Sequence, residues 1–198
     1  PTPISCFGAN DGVLTISSTD TGLEYSLDGT NWQASNVFSN LTPGTYTVQV
    51  RFVNGCSTTL APVTFTEPAQ VTATASNTGP YCTGSPISLN STTNSTGTIT
   101  YSWTGPNGYT SAAENPSDAT EAGMYELVIS SNGCQSAAAN TTVVIHPIPT
   151  AQAAYTAPFC TGTTLQLNGS TTSSGTVTYS WSGPNGYTSA IQNPADGT

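Results

Sequence analysis

The stretch YSWTGPNGYTSA, Tyr101–Ala112, returns as YSWSGPNGYTSA at Tyr179–Ala190, a shift of 78 residues. Worked outward, the match runs without a gap from Ala73–Thr120 to Ala151–Thr198, with 29 of 48 positions identical. It carries Cys82 onto Cys160, Trp103 onto Trp181 and Asn115-Pro116 onto Asn193-Pro194. Self-similarity at a fixed period marks a chain built from repeated units, so two copies of one domain are expected. Within the quoted run, Ile99, Tyr101 and Trp103 alternate with Thr100 and Ser102, as Val177, Tyr179 and Trp181 do in the second copy. That period of two reads as half-buried strand.

After Thr120 the first copy continues EAGMYELVISSNGCQSAAANTTVVI, whereas the second stops at Thr198. The second copy is therefore read as cut before its last strands, leaving Cys160 without the cysteine that would correspond to Cys134. An earlier unit shares the plan but not the close sequence. It runs from SCFGANDG through YSLDGTNW to GTYTVQVRFVNGC. Leu23, Tyr25 and Leu27 lead into Asp28-Gly29, and Asn54-Gly55 and Asn132-Gly133 mark further tight turns. Tyr46, Val48, Val50 and Phe52 alternate with Thr47, Gln49 and Arg51 as one inward-and-outward strand, matched next door by Tyr125, Leu127 and Ile129.

Short alternating strands, a Trp on a central strand and Gly-x-Tyr before a late one predict an all-β chain of tandem immunoglobulin-like β-sandwich domains arranged as a rod. Tyr46 and Tyr125 are the expected tyrosine corners, and Trp103 and Trp181 the expected core indoles. The units are 1–68 (with or without its first strand), 69–147, and 148–198. The joints Thr66-Glu67-Pro68-Ala69 and His146-Pro147-Ile148-Pro149 are short and Pro-bearing, so they should space the domains semi-rigidly.

Cys6 and Cys56 lie 50 apart, Cys82 and Cys134 lie 52 apart, and each pair closes on Asn-Gly-Cys. This spacing assigns Cys6–Cys56 and Cys82–Cys134 as disulfides and implies an oxidising compartment. Closing loops of that size is worth roughly 4 kcal/mol to small domains. One tension stands: a Cys before the second strand and another after the sixth can sit at opposite ends of a sandwich. Zinc is a poor rival, with no CxxC and two sulfurs per unit.

The chain holds one Arg (Arg51), no Lys, one His (His146) and ten carboxylates, for a net charge of −9. Without clustered cations it has no means of neutralising phosphate, which excludes nucleic acid and docking on anionic lipid. Lys-dependent Schiff bases and Lys–Asn crosslinks are excluded too, and trypsin-like proteases find little to cut, which suits life outside the cell. No apolar run has the length of a membrane span. Nearly a third of the residues are Ser or Thr, suited to sheets with one wet face.

No catalytic constellation assembles. His146 stands before Pro147 in a joint, and neither GxSxG nor HExxH occurs. Asp11, Asp28, Glu114 and Asp118 lie in turn contexts; no cofactor is expected, and calcium is the one cation such carboxylates would suit. Trp32, Tyr109 and Tyr187 are candidate platforms for stacking on sugar rings. Sequons at Asn40, Asn90, Asn94, Asn140 and Asn168 are candidate glycan sites that would shield edge strands.

At these residues the chain resembles known surface repeats. CFGANDG…YSLDGTNWQASNVFSNLTPGTYTVQVRFVNGC is similar to the repeat of SprB-type gliding-motility adhesins of Bacteroidota. YCTGSPISL…YSWTGPNGYTS…NP…AGMYELVISSNGC is similar to immunoglobulin-like or PKD-like repeats of large surface proteins of the same bacteria. The resemblance implies type IX secretion, a cell-surface location and a role as fibre, adhesin or spacer. The expected partners are neighbouring repeats or other copies in a fibre, and surface polysaccharide. The expected function is a structural or adhesive, non-enzymatic segment of an extracellular filament. A carbohydrate-binding or spacer module of a secreted hydrolase is the alternative.

Overall fold

The computed structural model describes residues 1–53, 55–157, 160 and 162–196. Asn54 of the expected Asn54-Gly55 turn lies outside them, as does Thr198 at the end of the repeat. The regular structure is all β, apart from two single 3₁₀ turns at Pro106–Gly108 and Pro184–Gly186. The units are immunoglobulin-like β-sandwiches in tandem.

The second unit shows the plan most fully. Its spine is Gly123–Ser131, whose inward residues Tyr125, Leu127 and Ile129 are fully buried. One edge pairs antiparallel with Ile99–Thr104 and the other with Ala139–Val143. Facing it, Ala73–Asn77 pairs with Leu89–Thr93. The outer edge of Leu89–Thr93 is completed by the Asn-Pro step of the repeat. Leu89 N–H donates to the Pro116 carbonyl and Ser91 N–H to Asn115 Oδ1, both at 2.9 Å. Proline has no N–H to give, so it serves where only a carbonyl is needed. The third unit repeats this with Asn193 and Pro194 against Gly169 and Leu167.

Between the sheets Trp103 is completely buried among Val71, Ile87, Leu89, Ala119, Tyr125, Leu127, Ile129 and Val143. Burying each large side chain contributes about 1.5–3 kcal/mol. The Pro-Asn-Gly turn after Trp103 needs two successive left-handed residues. Asn107 (φ 54°) and Gly108 (φ 78°) supply them, and the chain folds back to pair Trp103 with Ser111.

The first unit has its own core of Ile4, Leu14, Tyr25, Leu41, Val48 and Phe65. Gly12–Thr15 pairs with Val37–Leu41, and Leu23–Ser26 with Gln49–Phe52. The single strand expected over Tyr46–Phe52 is broken. Gly44–Tyr46 pairs with Val63–Phe65, while Gln49–Phe52 pairs with Leu23–Ser26 and Ser57–Thr59. Val48 is buried at the break, and Phe52, expected inward, is 53% exposed at the strand's end.

Both tyrosine corners form. Tyr125 Oη donates to the Glu121 carbonyl at 2.8 Å and Tyr46 Oη to the Thr42 carbonyl at 3.0 Å. In the third unit strand structure over the expected Val177–Trp181 run is confined to Trp181–Ser182. Trp181 is only partly buried, its indole N–H donating to the Ile191 carbonyl at 3.0 Å.

Candidate functional site: the joint between sandwiches

The cysteines do not pair as their spacing predicts. Cys6 bonds to Cys134, with Cα atoms 5.6 Å apart, while Cys56, Cys82 and Cys160 are free and exposed. The assignments Cys6–Cys56 and Cys82–Cys134 are thus both corrected, and the reason is directional. In the second unit the chain arrives beside Asn94, whose Oδ1 accepts the Thr72 N–H and whose amide donates to the Gln70 carbonyl. Ser131 and Cys134 line the same hollow as Ser5, Pro68 and Ala69. Cys82 lies at the other end, paired with His146 where the chain leaves. A disulfide needs Cα atoms within about 7 Å, and the two cysteines of one sandwich are separated by the length of its strands.

Cys6 lies at the corresponding departing end of the first unit, where Gly8 N–H donates to Glu67 Oε2 at 2.7 Å. The bond from Cys6 to Cys134 therefore crosses the joint. Around it the Cys134 Sγ comes within 3.3 Å of the Ser5 carbonyl oxygen. His146 belongs to a joint as well. It is exposed, and its carbonyl accepts from the Thr83 N–H and hydroxyl at 2.8 and 3.2 Å.

The aromatic candidates are distributed one to a unit. One face of Trp32 is covered by the Arg51 guanidinium, 4.0 Å above the ring centroid and paired with Glu24 at 2.8 Å. Tyr109 packs edge-on against Tyr125 at 5.3 Å and donates to Asp118 at 2.6 Å. Burial, followed by the bond to Asp118, pushes its phenol up to about 12. Tyr187 closes the equivalent turn in the third unit, its N–H donating to the Pro184 carbonyl at 3.1 Å. Of the sequons, Asn40, Asn94, Asn140 and Asn168 are exposed and Asn90 is half-buried. The Asn94 amide is engaged as described, and that of Asn168 donates to Thr156 Oγ1 at 3.2 Å.

The carboxylates serve local turns. Asp11 accepts the Ser5 N–H, and Asp118 the Tyr109 hydroxyl. Glu114 stands where its backbone carbonyl faces the Trp103 indole at 3.4 Å. Asp28 accepts N–H bonds from Thr30 and Asn31, the Asn31 amide and the Ser26 hydroxyl. Among the described residues no three His, Cys, Asp or Glu side chains gather as a metal site would need.

No protein-family model and no curated protein matches the chain. Solved structures similar to it include extracellular domains 3–5 of Drosophila OTK, at 11% identity and TM-score 0.34, covering 81% of this chain and 69% of that one. Fibronectin(III)-like modules of Clostridium thermocellum CbhA align at 13% identity and TM-score 0.30, over 74% of this chain and 88% of theirs. Immunoglobulin domains 1–5 of Sidekick-1 align at 15% identity and TM-score 0.32, over 92% and 50%. Likeness at this level assigns no activity or partner. The immunoglobulin-like plan rests on the chain's own sheets, corners and core.

The Asp28 bonds have a measurable consequence. Led by the Asn31 N–H, they hold its carboxyl far below the ordinary value of 3.8. A depressed folded value means the contribution is complete above about 3.8 and is lost only as pH falls through the lower folded value. Carboxyl-carbon NMR should find Asp28 still ionised at pH 3 in the folded chain. Half-protonation near 3.8 would show that the turn does not hold in solution.

Proposed function

We propose that this chain is a non-enzymatic structural or adhesive segment of an extracellular fibre on a cell surface, its sandwiches set end to end. The bond from Cys6 to Cys134 carries the reading. A covalent link across a joint restrains how one domain sits on the next, which matters for a load-bearing spacer more than for a free binding module. A disulfide also belongs to an oxidising compartment. The resemblance to SprB-type and PKD-like surface repeats supports the same reading, including export by type IX secretion. So do the Ser- and Thr-rich outer positions, such as Thr74 hydrogen-bonded across strands to Thr92. Such a surface bonds equally well to water, attached glycan or surface polysaccharide. No helix among the described residues is long and apolar enough to cross a membrane.

Electron microscopy of the native protein tests the arrangement. Elongated particles with a constant step of roughly 35–40 Å per domain are expected, from a longest strand of nine residues, Gly123–Ser131, with loops at both ends. Compact particles, or flexible strings without a constant step, would overturn it.

A further inference from the structure

Each unit carries a cysteine in the same turn at its departing end. In Cys6-Phe-Gly8, Cys82-Thr-Gly84 and Cys160-Thr-Gly162 the cysteine carbonyl accepts the N–H three residues on, at 3.1, 2.9 and 3.0 Å. The glycine two residues on has φ of +72°, +80° and +84°. Side chains rarely adopt that conformation, so the Cys-x-Gly pattern is what permits the turn. Each of the first two units also carries a cysteine at the hairpin that follows its tyrosine-corner strand. Cys134 pairs with Ser131 across that hairpin, and Cys56 immediately precedes Ser57, the partner of Arg51. The structure thus holds three turn cysteines and two hairpin cysteines. Among the described residues the one disulfide joins a turn cysteine to the hairpin cysteine of the following unit.

The surroundings of the two hairpin cysteines differ in one respect. Beside Cys134 lie Ser5 and Pro68, supplied by the unit ahead, and Ala69 at the joint. Cys56 instead edges an open cleft of about 370 Å³ lined in part by Ile16, Leu23, Tyr25, Arg51 and Phe52.

We propose that the Cys6–Cys134 bond is one instance of a repeated head-to-tail link, in which every turn cysteine bonds to the hairpin cysteine of the next sandwich. Cys56 then receives a turn cysteine from a sandwich ahead of the first unit, while Cys82 and Cys160 each give theirs to a sandwich behind their own. The partner is a domain of this same type, supplied by the same polypeptide or by a second copy. Formation of the bond is ordinary thiol–disulfide exchange. One cysteine thiolate attacks a small disulfide such as oxidised glutathione, forming a mixed disulfide and expelling one glutathione thiolate. The second cysteine thiolate then attacks the protein sulfur of that mixed disulfide and expels the other. Two protein thiols are oxidised, one glutathione disulfide is reduced to two thiols, and the two protons given up by the protein thiols end on the expelled glutathione sulfurs.

The inference rests on the end-to-end reading, and the two fail differently. A regular rod whose cysteines are bonded otherwise would defeat the link alone. Correct links in compact particles would defeat the rod alone.

The test uses the 198-residue chain at high concentration in a glutathione redox buffer, followed by non-reducing electrophoresis and peptide mapping. A ladder of covalent oligomers is expected, in which Cys56 bonded to Cys160 exceeds all like-with-like bonds by about tenfold. Random collision would make such unlike bonds fewer than half. Cys56→Ser, an exposed substitution, should abolish the ladder while circular dichroism and the Cys6–Cys134 peptide stay unchanged. Predominant Cys56–Cys56 or turn-to-turn bonds, or no oligomer under conditions that form Cys6–Cys134, would overturn the proposal. Reduction of native surface material separates the two sources. Collapse of large species to single chains indicates links between copies, and an unchanged mass on denaturing gels indicates links within one polypeptide.

Discussion

Replacing Trp103 with alanine should unfold the second sandwich at room temperature or leave it barely folded. The indole is fully buried between the sheets, touched by residues of both, and its N–H faces the Glu114 carbonyl at 3.4 Å. Truncating a buried Trp to Ala costs about 3–5 kcal/mol, because transfer energy is lost and a cavity remains. A sandwich of this size has a net stability near the lower end of about 5–15 kcal/mol. Hydrogen exchange on the Gly123–Ser131 amides reads the effect within that domain, while exchange on the paired strands Leu23–Ser26 and Gln49–Phe52 follows the first. Trp103→Phe should cost distinctly less, since an aromatic ring still fills most of the space. Protection of those amides unchanged to within about 1 kcal/mol in Trp103→Ala would show that the indole is not the centre of the core.

Removing the cross-joint bond should cost the first sandwich nearly as much. The double substitution Cys6→Ser with Cys134→Ser avoids leaving a reactive thiol at the joint. While the second sandwich stays folded, the loop that matters for unfolding the first runs from Cys6 to the joint at Pro68-Ala69. Releasing a loop of that size removes about 2–5 kcal/mol by loop-closure entropy. Guanidinium denaturation should show the first transition moving to lower concentration while the second domain's own transition moves less, because its core lies within Val71–Val143. Small-angle scattering should show a broader distribution of inter-domain distances in the variant. A joint of unchanged rigidity and a first transition shifted by less than about 0.5 kcal/mol would mean that the Pro-bearing linker sets the geometry without help.

Much of the fold was legible in the residues because β structure writes a short-range pattern. Tyr125, Leu127 and Ile129 keep a period of two against Glu126 and Ser130, and all three are buried. Gly-x-Tyr announced the tyrosine corners, and Asn132-Gly133 announced a tight turn that the structure builds with φ of 51° and 86°. The Asn115-Pro116 step was visible as part of the repeat, but its use as a substitute edge was not. Nothing local says that an Asn side chain will take the place of a strand carbonyl opposite Ser91. The broken strand at Tyr46–Phe52 was likewise hidden. Its alternation is regular, and the break arises because its two halves pair with different strands, Val63–Phe65 and Leu23–Ser26.

The sequence by itself determined the repeated units, their all-β character, the turn residues and the identity of the central indole. Each depends on a few neighbouring residues or on comparison of the chain with itself. Only the tertiary structure decided which cysteines meet. Spacing along the chain made Cys82 and Cys134 look like partners, but every strand crossing carries the chain to the opposite end of the sandwich. The register Cys82↔His146 puts the first at the departing end, and Ser131↔Cys134 puts the second where the chain arrives. A disulfide forms only between sulfurs that the packed strands bring within a few ångströms. Stacking one sandwich on the next brought Cys6 to Cys134, 128 residues apart in sequence.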